Sequence, residues 1–176
     1  MRTLILNRDG NPISISSWIK SFTLVYIKGV AIELDFYKTL KVKDTKGRNY
    51  PVPAVIMLKK QVPYRHFMVA FSKRNVLLRD NFLCQYCGYA GSSGDLNFDH
   101  IIPKSRWTAQ TTPTNWQNIV TCCYRCNEKK GNKLLHEVGM KLLKHPGPPR
   151  RQDIIRRLAQ TDGTIPLEWE PYIGEH

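Results

Sequence analysis

Two cysteine pairs with the same internal spacing, Cys84-x2-Cys87 and Cys123-x2-Cys126, constrain this chain more than any other feature. Each C-x2-C lets two thiolates point at one cation from a tight turn. Two such turns complete a tetrahedral four-sulfur site of the kind that suits zinc. Gly88 follows the first knuckle, where backbone amides must approach the sulfurs closely. Four thiolates leave no open position for a substrate, so this zinc reads as structural, and any catalysis needs a second site. A reduced dithiol without metal is the competing reading. The fifth thiol, Cys122, offers the register Cys122-x3-Cys126, which fits a knuckle poorly. It reads instead as a small buried apolar residue.

Charge narrows the partner. The chain carries a formal net charge of +13, with a sequence pI of about 9.7. A balance this basic points to a polyanion, with nucleic acid first and an anionic membrane surface second. Between Lys104 and Arg151 there are ten basic residues against two acids, Glu128 and Glu137. After Arg157 there is no Lys or Arg, whereas Asp162, Glu168, Glu170 and Glu175 follow. The positive field is therefore expected in the middle and late chain, before an acidic tail. No secretory signal is visible, and the apolar run Trp18 to Leu34 is broken by Lys20, Lys28 and Glu33. A cytoplasmic protein without membrane contact is expected, in which thiols are metal ligands or stay reduced.

Elements follow from local pattern. "TLILNRDGNPISI" reads as two strands around a turn at Asp9 to Pro12, and Ser16 or Ser17 as the cap of a helix reaching Ile27 and closed by Gly29. Val30 to Val42 is rich in strand formers, with a turn near Asp44 to Gly47. Pro51 and Pro53 make the next stretch edge-like before a short strand over Val55 to Leu58. Ser72 caps a short basic helix. "HPGPPRR" reads as a linker into a helix over Gln152 to Ala159. The expected class is α+β. Residues 1–71 form a strand-rich subdomain that packs or docks on DNA, 72–145 the knuckled core, and 146–176 a linker, basic helix and acidic tail.

Between the knuckles lies "LNFDHIIPKSRW", a strand that ends near Pro103 and carries Asp99 and His100 side by side. On a regular strand the two point to opposite faces; a kink or twist would bring both to one site. Trp116-Gln117-Asn118 follows, and Asn127 stands directly after the last cysteine.

Taken together, C-x2-C, D-H-x2-P-x-S-R, W-x-N and C-x2-C-N-x2-K-G resemble the HNH endonucleases of the ββα-metal fold, in their four-cysteine zinc variety. The resemblance is dense from Arg79 to about Leu143. The wider layout is similar to small bacterial and phage HNH proteins. It implies that His100 is the general base and that Asn118 orients the hairpin by hydrogen bonds. It further implies that Asp99 and Asn127 hold the catalytic metal, and that Lys130 falls where the family often has a basic residue near the phosphate. Cys123 and Cys126 would then fix the start of a helix that aims Asn127 at that metal. Leu134-Leu135 stands where the family often has a small polar cap and Pro, which bears only on the next helix boundary.

These residue types suit phosphodiester hydrolysis. A histidine near neutral pKa takes a proton from water at working pH. A hard divalent cation held by oxygen ligands neutralises the phosphoryl group, and Asn in place of His tilts the site toward Mg2+ or Mn2+. Lys104, Arg106, Lys129, Lys130 and Lys133 are expected to supply phosphate contacts, against the alternative of a solvated face. Trp107 and Trp116 read as local core. His66, His136, His145 and His176 match no motif position.

The expected activity is a metal-dependent DNA endonuclease acting on double-stranded DNA, cutting one strand as a monomer, with a homodimer or a phage packaging protein as conceivable partners. Homing, packaging and defence roles stay open. Two alternatives stand beside it: a zinc-ribbon DNA-binding protein without catalysis, and an RNA-directed HNH nuclease.

Overall fold

The structure, a computed structural model, describes residues 1–63, 68–160 and 165–173. His66, Asp162, Glu175 and His176 lie outside them. The fold is α+β and divides into two compact units, residues 1–68 with 151–176, and residues 69–150. Among the described residues no helix is long and apolar enough to cross a membrane.

The first unit is a four-stranded sheet with helices on both faces. Its strands are β1 (Arg2–Leu6), β2 (Pro12–Ser17), β3 (Ala31–Lys43) and β4 (Asn49–Leu58), in the order β2-β1-β4-β3. The β1–β4 pair is parallel and the other two pairs are antiparallel. Alternation along β1 divides its side chains between two cores. Leu4 and Leu6 join Ala54 and Val55 against Ile155, Ala159, Trp169 and Ile173. Ile5 faces the other way, with Ile13, Ala31, Ile56, Leu24 and Val25.

Helix α1 (Trp18–Phe22) begins at Ser17, whose hydroxyl accepts from the Lys20 amide, and continues as a π-helical turn over Thr23–Ile27. Gly29 closes it at φ +62, a conformation open to glycine at little cost.

The sequence reading sets 146–176 apart as linker and tail. In the structure, residues 151–160 and 165–173 pack on the sheet of the first unit. The amphipathic helix α4 (Arg151–Gln160) buries Ile154, Ile155 and Ala159, and the short helix α5 (Glu170–Ile173) follows Trp169, which is fully buried. The Trp169 indole N–H donates to the Ala54 carbonyl at 2.8 Å, which satisfies its one polar atom in the core. Local pattern foresees the helix; only the apolar faces of sheet and helix together decide where it packs.

The two prolines of β4 illustrate the same point. β1 pairs with β4 only from Leu4↔Val55 to Leu6↔Met57. Pro51 and Pro53 precede that stretch and have β3 as their strand partner. Proline lacks the N–H that a second neighbouring strand would need, so its place at the one-sided end of the strand is the permitted one.

The second unit is built on a ββα arrangement. Strands β5 (Leu96–His100) and β6 (Ile119–Cys123) pair antiparallel in unbroken register, from Leu96↔Cys123 to His100↔Ile119. Helix α3 (Tyr124–Lys130) follows β6 directly. Helix α2 (Lys73–Arg79), capped by Ser72, packs Leu77 against Leu96, Cys84 and Cys122.

An Arg79–Asp80 pair binds α2 to β6. The guanidinium meets Asp80 at 2.7 and 2.9 Å and donates to the Trp116 and Ile119 carbonyls at 2.9 and 2.7 Å. Asp80 also accepts from the Thr121 amide at 2.8 Å. Both side chains are nearly buried. Removing one partner strands the other charge and two carbonyls, so Arg79→Ala is expected to cost about 3–5 kcal/mol. Equilibrium urea unfolding checks this; a loss near zero would show the pair to be ornamental.

Candidate active site

The four knuckle sulfurs, from Cys84, Cys87, Cys123 and Cys126, lie within 4.8 Å of one another. The Cys87 and Cys123 sulfurs are 3.8 Å apart. A tetrahedral zinc with metal–sulfur bonds of about 2.3 Å places its sulfurs about 3.8 Å apart. The cluster is therefore compatible with a structural zinc. Phe82 and Asn81, at φ 53 and 56, make the tight turn that leads from α2 into the first knuckle. The Gly88 amide closes that knuckle on the Cys84 carbonyl at 2.9 Å, with Gly88 at φ +77. Cys122 takes no part in the cluster. It is fully buried against Leu77 and Leu96, and burial pushes its thiol up to about 12, which leaves it an inert packing group.

Asp99 and His100 stand at the end of β5. The strand keeps its register through both residues, so they alternate along it, yet they lie close enough for the Asp99 charge to act on the His100 imidazole. Asp99 points inward and is 8% exposed. The Tyr86 hydroxyl donates to its Oδ2 at 2.5 Å, and the Lys130 ammonium lies 3.1 Å from Oδ1 and 2.9 Å from Oδ2. Lys130 also donates to the His100 carbonyl at 2.7 Å. His100 is partly exposed, with Nε2 3.0 Å from the Thr114 hydroxyl. Burial holds its pKa below the usual histidine value. Lys104 and Lys130 push it the same way, and Asp99 opposes them. The imidazole is thus biased toward its neutral form.

Asn118 is 2% exposed and ties the connection between the strands to the end of β5. Its Oδ1 accepts from the Ile102 amide at 2.9 Å, and its Nδ2 donates to the Ile102 and Pro113 carbonyls at 3.0 and 2.9 Å. Both amide hydrogens and one oxygen lone pair are spent on the hairpin. Asn127 is half-buried in α3, three residues before Lys130, which puts the two on neighbouring positions of one helix face.

The five basic candidates separate. Lys104, Lys129 and Lys133 are exposed. Arg106 grips Glu137 at 2.7 and 2.8 Å. Lys130 is 1% exposed, and its ammonium faces Asp99 and the His100 carbonyl instead of solvent, because burying that charge demands a carboxylate partner. Trp107 is half-buried and donates to the Thr111 carbonyl, while Trp116 packs edge-on against Phe71 with the Arg79 guanidinium over its ring. His136 and His145 are exposed.

Sequence reasoning missed Tyr86. It sits between the two cysteines of the first knuckle and reaches a carboxylate thirteen residues away, so no local spacing marks it. It missed the Arg79–Asp80 clamp for the same reason.

Residues 84–133 match the family description HNH endonuclease. This segment, which holds both knuckles, Asp99, His100, Asn118 and Asn127, is an HNH endonuclease domain. Over 54 residues the chain is 37% identical to the CRISPR-associated endonuclease Cas9 of Corynebacterium diphtheriae, a stretch that is 31% of this chain and 5% of that protein. The type II-C Cas9 enzyme from Actinomyces naeslundii is similar over 52% of this chain and 11% of its own, at 21% identity and a TM-score of 0.32. The chain thus spans a small part of the length of either relative.

Proposed function

We propose that the protein is a divalent-metal-dependent DNA endonuclease that nicks double-stranded DNA. The observation that carries this reading is the end of β5, where a buried carboxylate and a partly exposed, neutral-leaning imidazole stand on adjacent residues inside an HNH domain.

The donor set suits Mg2+ or Mn2+. A carboxylate offers about four lone-pair directions. Tyr86 and the bridging Lys130 occupy three of the approaches to Asp99, which leaves one on Oδ1. The Asn127 side chain has no hydrogen-bond partner among the described residues. Asp99 and Asn127 would hold the ion through oxygen, and it would neutralise charge on the phosphoryl group and the leaving oxygen.

His100 acts as the base. With Nε2 engaged by Thr114, Nδ1 is the nitrogen left to take a proton from water. The water oxygen attacks phosphorus, the bond from phosphorus to the 3′ oxygen breaks, the leaving oxygen takes a proton from solvent, and a 5′-phosphate and a 3′-hydroxyl result. Asn118 holds the hairpin that carries His100. Lys104, Lys129 and Lys133 contact backbone phosphates, while Arg106 does so only by releasing Glu137. One site cuts one strand, so a double-strand break needs a second copy or a second visit.

Supercoiled plasmid incubated with Mg2+ or Mn2+, against EDTA, tests the reading. Metal-dependent open circle from the wild type alone supports it. Cleavage of RNA but not plasmid would move the substrate to RNA, and binding without cleavage would favour a binding module. Asn127→Ala should raise the Mg2+ concentration needed for half-maximal nicking by about tenfold or more. An unchanged Mg2+ titration would remove Asn127 from the ligand set.

A further inference from the structure

The hairpin of β3 and β4 extends past the sheet that supports it. β3 spans Ala31–Lys43, but β1 reaches only as far as Val55 on β4. The pairs Lys41↔Pro51, Val42↔Tyr50 and Lys43↔Asn49 therefore belong to a two-stranded ribbon. One face of this ribbon is covered. Tyr50 packs its ring edge-on to Phe22 at 5.8 Å and to Tyr26 at 5.7 Å, and Val42, opposite Tyr50, is half-buried on the same side. Lys41 and Lys43 alternate with Val42, so they project from the other face, and both are exposed.

Positive charge dominates the ribbon and its turn. Lys41 and Lys43 on the ribbon, Lys46 in the turn that closes it and Lys38 in the register shift between Phe36 and Lys41 are exposed, and none makes an ion pair among the described residues. The acid at the tip, Asp44, is consumed locally: its carboxylate accepts from the Lys46 and Arg48 amides and from Arg48 Nε at 2.7 Å. Glu33 and Asp35 lie at the base, opposite Ile56 and Val55. Lysines on an edge strand discourage pairing with another sheet, and four like charges close together also repel each other, a cost that a polyanion would relieve.

We propose that this hairpin end is a DNA-docking arm whose exposed lysines grip the phosphate backbone of duplex DNA. The inference rests on the DNA substrate proposed above and adds a second contact surface outside the HNH domain. A two-stranded ribbon fits the B-form major groove, whereas the deep, narrow major groove of A-form RNA does not admit it.

The test uses the full chain carrying His100→Ala, so that the duplex survives. Fluorescence anisotropy follows binding to a 30-base-pair DNA of arbitrary sequence between 50 and 300 mM salt. Each neutralised phosphate contributes about 0.9 to the slope of log affinity against log salt. Replacing Lys38, Lys41, Lys43 and Lys46 by Gln should flatten the slope by about 3–4 and weaken binding by about tenfold or more at low salt. The Lys41→Gln/Lys43→Gln double variant should give about half that change in slope and guards against misfolding of the fourfold one. An unchanged slope and affinity in both variants overturns the arm. So does tighter binding, through the same lysines, to an RNA duplex of that sequence or to anionic vesicles. Nicking by the unsubstituted chain is scored separately: its absence would sink the nuclease reading, while an unchanged salt slope would sink the arm.

Discussion

His100→Ala is expected to keep the fold, the zinc and DNA affinity, and to lose about 10²–10⁴-fold of the nicking rate. The side chain is partly exposed, and its one recorded polar contact is to the exposed Thr114, so its removal should cost about 1 kcal/mol of stability. The Lys130 contact is to the His100 carbonyl and survives the substitution. Binding comes chiefly from cations, which the change does not touch. Single-turnover nicking, thermal melting and zinc content, measured on the same preparation, separate these terms. Wild-type cleavage by the variant would remove His100 from the mechanism. A collapsed fold would make it a structural residue.

Cys126→Ser is expected to abolish zinc binding and unfold residues 69–150. Metal binding is folding free energy in sites of this kind, worth roughly 10–16 kcal/mol in small zinc peptides at neutral pH. That exceeds the whole stability of an ordinary domain, about 5–15 kcal/mol. The apolar cluster here is small and includes Cys84 and Cys123 themselves, with Leu77, Leu96 and Cys122. Its order depends on the same atoms that would bind the metal. Tyr86 would carry the damage to the proposed nuclease site, since its hydroxyl holds Asp99 from within the first knuckle. Zinc analysis by mass spectrometry and limited proteolysis of the second unit check the outcome. An equally folded, equally protease-resistant variant without zinc would overturn the structural role. Cys122→Ser, by contrast, should retain full zinc.

Much of the local structure was legible from residue patterns. Ser17 and Ser72 cap helices, Asp44 to Gly47 turns the hairpin, and α4 follows the proline-rich stretch, because capping and turn chemistry act over three or four residues. The HNH segment was legible too, since metal knuckles and adjacent site residues impose spacings along the chain. Two expectations shift once the structure is seen. Lys130 serves Asp99 and not solvent, and the exposed cations include Lys38, Lys41, Lys43 and Lys46 of the β3–β4 hairpin as well as Lys104, Lys129 and Lys133 of the late basic region.

Spacing along the chain by itself marked the two cysteine knuckles, and the resemblance to HNH endonucleases marked Asp99, His100, Asn118 and Asn127 as site candidates, because each stands beside a motif residue a few positions away. Tertiary structure alone decided which groups complete them. Tyr86 meets Asp99 across 13 residues, Lys130 across 31, and Arg79 meets Ile119 across 40. The C-terminal Trp169 meets Ala54 across 115. Such contacts arise from burial: a charge or polar atom removed from water must find a partner wherever the packed chain supplies one, and no period in the sequence records that choice.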